Sequence, residues 1–400
     1  MRNRFLLVCI TFLIALLVGC SAYQLTVTGD PQTPGTSLTQ SQIIMVEVTP
    51  TTPSDTPIPP TGTQVSITDT PTLFSSFTPT EMATPTPVDT ATPSMLVNLE
   101  AVGDIMLART VGQKVLSEGP QVVFAGVQPA LDGADVLVGN LECAITSEGA
   151  PQPKSYTFAA PPETAKALAL AGFDVLSLAN NHAMDYGKVG LTDTINNLNQ
   201  NGIASAGAGM NTLQAHQPVI LERNGLRLAF LAYANVPVEN SGFDSSSWIA
   251  TFSQPGIAWA YPEQIKADVT AAKKEADVVI VLLHSGYEIT SIIPGISQDQ
   301  RLAAHAAIDA GAALVIGSHP HFLQSIEPYR GGLIAYSLGN FVFDDYQGIA
   351  NNTIILHVVL TRTGFQSYQW IPVQIKDGLP EMTDLDNSLA ISTLIAPLSP

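Results

Sequence analysis

An α/β fold with a parallel sheet is predicted for most of this chain, and three observations predict it. From about Met95 onward, short strand-like runs alternate with helical ones, the arrangement of βαβ units. Polar residues suited to chemistry repeatedly follow the strand-like runs, at the edge where such sheets keep their sites. The clearest case is Ala312-Ala-Leu-Val-Ile-Gly-Ser-His-Pro-His321. Its β-branched run ends in a small-residue turn with two histidines, and Pro320 stiffens that turn so both rings can address one point.

The elements follow in chain order. Leu96–Val102 reads as a strand ending at Gly103-Asp104, and Ala134–Val138 as a strand ending at Asn140-Leu-Glu142. Pro161–Ala171 reads as a helix, with proline at its start, Glu163 in its first turn and Gly172 as its stop. Phe173–Leu178 is a strand ending at Asn180-Asn-His182, and Gly190–Asn201 the next helix. Val219–Ala232 looks like a hairpin around Asn224-Gly225. Asn235–Tyr261 has little periodicity and reads as a long loop. Its Phe243, Trp248, Trp259 and Tyr261 either line a cleft or cover the core. Pro262–Glu275 is helical, and Ala276–Leu283 is a strand ending at His284. Gln298–Ala310 is a helix stopped by Gly311, and Ala312–Ile316 leads to His319. Leu333–Ser337 and Thr353–Thr361 are later strands.

The N-terminus reads as an export signal. Arg2 and Arg4 precede an apolar run, Phe5 to Val18, shorter than the ~20 residues that a membrane span needs. The run ends in Leu17-Val-Gly-Cys20, which resembles a bacterial lipobox and makes Cys20 the expected lipidation site. Residues 21–94 read as a disordered Thr/Pro/Ser-rich linker, with no Lys or Arg between Arg4 and Arg109. A short apolar patch, Ile43–Val48, is the exception. Residues 95–400 form the expected domain. Cys143 is then the one cysteine of the folded part, a small buried residue rather than a ligand or nucleophile, and no disulfide is available there. The net charge of −18 on this 400-residue chain argues against a nucleic-acid partner and gives no sign of a basic surface for anionic lipid. No P-loop, Rossmann glycine fingerprint or Gly-x-Ser-x-Gly elbow is present.

Asp104, Glu142, Asn181, His284, His319 and His321 are the candidate metal ligands. This mix of carboxylate, amide and imidazole suits one or two divalent ions of Mn, Fe or Zn. Two ions roughly 3.5–4 Å apart would activate a water and clamp the oxyanion it attacks. His182 suits general acid work, and Asp185 either orients that imidazole or caps the following helix. Arg109, Asn140, Asn180 and Glu288 are candidates for substrate contact; Arg109 equally suits a surface salt bridge, and Glu288 is otherwise a support for the ligands or a plain loop acid. His216, His305 and His357 lie outside these clusters and read as structural.

These motifs, in this order, resemble the capsule synthesis protein CapA family, also called poly-γ-glutamate biosynthesis proteins. The resemblance rests on Gly103-Asp-Ile-Met106, Gly139-Asn-Leu-Glu142 and Leu178-Ala-Asn-Asn-His182 with Asp185 and Gly187. It rests further on His284-Ser-Gly-Tyr-Glu288, Gly317-Ser-His-Pro-His321 with Gln324 and Glu327, and Tyr336-Ser-Leu-Gly-Asn-Phe341. It covers roughly Leu96 to Val373. That family is similar to the calcineurin-like metallophosphatases, so the resemblance implies a four-layer αββα sandwich with a metal site at the strand ends. Metallophosphatases open with Asp-x-His, whereas Met106 holds the third position here. Their second motif centres on aspartate, and here it carries Asn140 and Glu142.

The expected function is that of a lipid-anchored, extracytoplasmic protein in synthesis, export or anchoring of an anionic polymer such as poly-γ-glutamate. Its site would act on a phosphoryl or acyl centre, alongside membrane-bound synthesis components. The alternatives are a non-catalytic polymer-binding or assembly component, and a hydrolase outside capsule synthesis.

Overall fold

The computed structural model describes residues 44–46, 95–239, 242–288, 295–344 and 346–395. The fold is mixed α/β, with two large sheets among the described residues. The nine-stranded sheet runs Ile44–Val46, Gly364–Lys376, Asn352–Thr361, Val97–Ile105, Val136–Leu141, Val175–Ser177 and Ala204–Ala206. Asn340–Val342 joins the Val97 strand, and Leu379–Met382 joins the Gly364 strand. The six-stranded sheet runs Ile326–Tyr329, Gly332–Ala335, Leu314–Ser318, Val278–Ser285, Leu226–Asn235 and Val219–Arg223. The Val97, Val136, Val175 and Ala204 strands are mutually parallel, as are the Leu226, Val278, Leu314 and Gly332 strands.

Successive side chains on a strand point to opposite faces, and the six-stranded sheet uses both. Leu228, Phe230, Val278, Ile280 and Leu282 share one core with Leu99, Val138 and Leu176 of the larger sheet. Leu231, Tyr233, Val279 and Val281 point the other way. There they meet Ile265 and Val269 of helix Pro262–Ala272, and Ala303 and Ala307 of helix Gln298–Asp309. Helices Arg109–Glu118, Thr164–Ala171 and Gly187–Gln200 contribute Val115, Leu168 and Leu198 to the first core.

Local signals explain most element boundaries. Ser297 and Gln300 form a reciprocal capping box at the start of helix Gln298–Asp309. Gly172 ends helix Thr164–Ala171 with φ 91°. That helix starts later than Pro161 because Pro161–Thr164 closes a turn, Thr164 N–H donating to Pro161 O at 2.9 Å. Asn224 and Gly225, with φ 50° and 78°, make the tight hairpin turn. Helix Arg109–Glu118 has no local cap; Asp344, distant in sequence, accepts the Thr110 N–H at 3.1 Å.

The stretch Asn235–Tyr261 is less irregular than its sequence suggests. It contains a 3-10 turn at Ser245–Trp248 and a short strand, Gly256–Ile257, paired with Ala208–Gly209. Trp248 and Trp259 are buried in the core, whereas Tyr261 is exposed. Ile44–Val46 adds an antiparallel strand to the Gly364 strand, so the apolar patch of the linker has a place in the sheet. Cys9, Cys20 and the rest of residues 1–94 lie outside the described residues. Cys143 is buried, and burial pushes its thiol up to about 12. His216 pairs with Asp268, His305 with Glu327 and His357 with Glu100.

Two glycines let the backbone close over the strand ends. A Cβ on Gly103 would lie 1.9 Å from Gly339 O, and one on Gly317 would lie 2.0 Å from Tyr336 O. Asp104 N–H donates to the same Gly339 carbonyl at 2.9 Å. Gly103→Ala should therefore destabilise the domain by about 2 kcal/mol or more, since the clash is with backbone that cannot step aside. Urea unfolding measures this, and an unchanged midpoint would show that the contact is not tight.

Candidate metal centre

Five strand ends deliver the candidate side chains to one place. Asp104 lies near the end of the Val97 strand, Asn140 near the end of the Val136 strand, and Glu142 follows it. Asn180, Asn181 and His182 follow the Val175 strand, His284 lies near the end of the Val278 strand, and His319 and His321 follow the Leu314 strand. Strand register aligns them: Asp104 pairs with Asn140, Asn140 with Ser177, and His284 with Ser318. All of these site residues are buried. His319 and His321 hold φ of 96° and 62°, a left-handed backbone that costs non-glycine residues energy and clusters at functional sites.

Amides bind the carboxylates and imidazoles together. Asn140 Nδ2 donates to Asp104 Oδ1 at 2.8 Å, and Asn180 Nδ2 donates to Asn140 Oδ1 at 3.0 Å. His319 N–H donates to Asp104 Oδ2 at 3.1 Å. His284 Nε2 lies 2.9 Å from Asn181 Oδ1, and His321 Nδ1 lies 2.8 Å from Asn340 Oδ1. Asn340 thus orients His321 from the strand beside Asp104.

Not every polar atom is served. Glu142 Oε1 and His319 Nδ1 are buried without a hydrogen-bond partner. Two imidazole nitrogens approach Glu142 Oε1, His321 Nε2 at 3.7 Å and His182 Nε2 at 3.9 Å, too long for hydrogen bonds. One ligand atom each from Glu142, His284 and His319 lies within 4.8 Å of the others, and the same holds for Asp104, Glu142 and His321. Buried unpaired donors of this type fit a divalent cation. Met106 contributes nothing: it is fully buried and its Sδ accepts the Ala108 N–H at 3.2 Å.

His182 stands beside this set. Its Nδ1 is 2.7 Å from Asp185 Oδ2, which also accepts the Phe158 N–H at 2.7 Å. An acceptor at Nδ1 assigns the ring proton there and leaves Nε2 toward Glu142. Phe158 stacks on the imidazole at 4.3 Å. Lys154, with no side-chain exposure, pairs with Asp185 Oδ1 at 3.1 Å and Glu239 Oε1 at 2.9 Å, and also donates to Asn181 O. It lies 5.3 Å from the Phe243 ring and 5.2 Å from Trp248.

The other candidates occupy varied places. Asn140 and Asn180 are buried linkers between carboxylate and backbone. Arg109 is partly exposed, pairs with Asp344 and lies 5.1 Å over Phe158. Glu288 is exposed. Sequence reasoning passed over Lys154 and gave no role to Asn340, although Asn340 lies in the Tyr336–Phe341 motif. Nothing in the spacing around Lys154 signals its burial against Asp185.

Burial sets the electrostatics. Desolvation pushes Glu142 well above the ordinary carboxylate range, and the adjacent Asp104 charge adds to this. Desolvation, with the neighbouring imidazoles, holds His284 and His319 well below their ordinary value of 6.5. His182 is also lowered by burial, with Asp185 opposing. For the depressed histidines, the unfolded state binds more protons below pH 6.5, so stability falls as pH falls. The raised Glu142 acts in the reverse sense, weakening the fold as pH rises through its elevated range. Three histidines against one carboxylate set the net direction. In chelator, the metal-free protein should lose stability from about pH 7.5 to about pH 5.5, and His284→Gln should flatten that slope. Urea titrations at several pH values test this; identical slopes would mean the imidazole does not titrate on unfolding.

Comparison with known proteins agrees with the motifs. The model of the bacterial capsule synthesis protein PGA_cap family matches residues 98–345. A capsule biosynthesis protein CapA of Bacillus anthracis is 35% identical over 293 residues, covering 71% of this chain and 69% of that one. A PGA biosynthesis protein CapA of Bacillus subtilis (strain 168) is 33% identical over 306 residues, covering 74% and 76%. Among solved structures, a hypothetical protein from Thermus thermophilus matches with a TM-score of 0.41 and 17% identity, covering 71% of this chain and 95% of that one. By the extent of the family match and the identity to these relatives, the chain belongs to the bacterial capsule synthesis protein PGA_cap family.

Proposed function

We propose that this chain acts in the synthesis, export or anchoring of an anionic capsular polymer of the poly-γ-glutamate type, using a divalent-metal, metallophosphatase-like site. The observation that carries the site is the buried convergence of Asp104, Glu142, Asn181, His284, His319 and His321 around unpartnered Glu142 Oε1 and His319 Nδ1. The polymer class is taken from the names of the relatives. The two sheets and their flanking helices support the four-layer αββα reading. The charged-then-apolar start and Leu17-Val-Gly-Cys20 support a lipid anchor at Cys20 on the extracytoplasmic side, with the linker as spacer. Membrane-bound synthesis components are the expected partners.

Glu142, Asn181, His284 and His319 would hold one ion, and Asp104, Glu142 and His321 a second. Bound there, divalent metal supplies Lewis-acid polarisation of a phosphoryl or acyl oxygen and of a water nucleophile. The chain's own residues do the rest. Asp185 fixes the His182 tautomer, and Lys154 and the Phe158 N–H fix Asp185. His182 Nε2 is then the free nitrogen that takes up a proton, and Asp185 would stabilise the resulting imidazolium until it passes that proton to a leaving group. Asn140 and Asn180 keep the two carboxylates in place. A second reading, polymer binding without catalysis, is favoured by Met106, which leaves one metal position an imidazole short.

Full-length protein, extracted in detergent without chelator and without a His tag, should contain Mn, Fe or Zn by elemental analysis. The His319→Ala, His321→Ala double variant should lose it. No metal in the wild type, even after reconstitution, would remove the hydrolase reading. His182→Ala should keep the metal and abolish capsular polymer output in the producing cell; unchanged output would remove the proton-transfer role.

A further inference from the structure

The geometry points to Glu288 as a further metal ligand, closing a second ion position with His319 and His321 where Met106 offers no imidazole. This rests on the metal-centre reading above. One ligand atom each from Glu288, His319 and His321 lies within 4.8 Å of the others. His319 also belongs with Glu142 and His284, and His321 with Asp104 and Glu142. Glu288 therefore shares an imidazole with each of the two buried groups. His319 Nδ1 is buried and lacks a partner, so the imidazole common to the Glu142 and Glu288 groups has a nitrogen open to a ligand. Glu288 lies close enough to Glu142 for their charges to oppose one another. A cation between the groups turns that repulsion into attraction.

Ligand chemistry sets what this position prefers. Glu288, His319 and His321 offer one carboxylate and two imidazoles, the same balance as Glu142, His284 and His319. A carboxylate and imidazole set of this kind suits Mn²⁺, Fe²⁺ or Zn²⁺. Glu288 is exposed, whereas the other ligands are buried. It sits just past the end of the Val278–Ser285 strand, so its backbone is not held in the sheet. The second ion should therefore bind more weakly than the first. Two divalent ions outweigh three carboxylates and leave a positive cleft in a chain of net charge −18. That sign suits a polymer bearing carboxylates.

The test is Mn²⁺ titration by calorimetry, with elemental analysis, of full-length protein in detergent. The wild type should bind two ions in distinct affinity classes. Glu288→Gln should retain the tighter class and weaken the other by roughly tenfold or more. Glu288→Asp should recover part of the loss. Melting curves in chelator should be the same for wild type and Glu288→Gln, because the side chain is exposed. If Glu288→Gln binds ions with wild-type number and affinity, Glu288 is not a ligand while the metal centre stands. If the wild type binds no Mn²⁺, Fe²⁺ or Zn²⁺, the inference and the metal-centre reading fall together.

Discussion

Asp104 and Glu142 are carried into the interior with no solvent exposure, where they meet each other, amides and imidazoles. Burying ionised carboxylates costs on the order of several kcal/mol each unless charge and hydrogen bonds compensate. Much of the surrounding architecture answers that constraint. Parallel register sets Asp104 beside Asn140 and Asn140 beside Ser177, so one amide can serve carboxylates from two strand ends. Gly103 and Gly317 remove the Cβ atoms that would hold the covering backbone away. The left-handed turn at His319 and His321 aims a main-chain N–H at Asp104 and brings both rings to the same cluster. The amides supply no positive charge, and the residue groups at this point could hold a divalent ion that would.

A second layer of interactions ties the long Asn235–Tyr261 segment to the chemistry. Lys154 is enclosed by Asp185, Glu239 and the rings of Phe243 and Trp248, three of them from that segment. Asp185 in turn fixes His182. Packing of a surface-spanning segment is thereby linked to the orientation of one imidazole through a single buried ammonium. Arg109 also packs over Phe158, the ring that stacks on His182, and its pairing with Asp344 anchors the start of helix Arg109–Glu118. Phe158, stacked on the His182 ring, helps keep it dry, and the low local dielectric strengthens the His182–Asp185 interaction.

The alternation of apolar runs and helical periods was enough to define the α/β class, because strand and helix periods are local properties of the chain. The strand leading to His319, the helix capped by Ser297 and the hairpin at Asn224-Gly225 were all legible for that reason. The motif residues were legible as well: carboxylate, amide and imidazole types at strand ends are chemically specific even before their neighbours are known. Less visible were elements whose ends depend on distant partners. Helix Arg109–Glu118 takes its cap from Asp344, and the Gly364–Lys376 strand is defined by its pairing with Asn352–Thr361.

By itself, the sequence determined the α/β class, the family resemblance and the set of polar residues at the strand ends, because each is written in local order and residue type. Tertiary structure decided which of those residues share one buried space and which are spent on structure. It made Asn140 a link between carboxylates, matched Arg109 to Asp344, left Glu142 Oε1 and His319 Nδ1 unpartnered, and set Lys154 against Asp185. These outcomes depend on strand register and on contacts between residues far apart in the chain, and no local pattern encodes them.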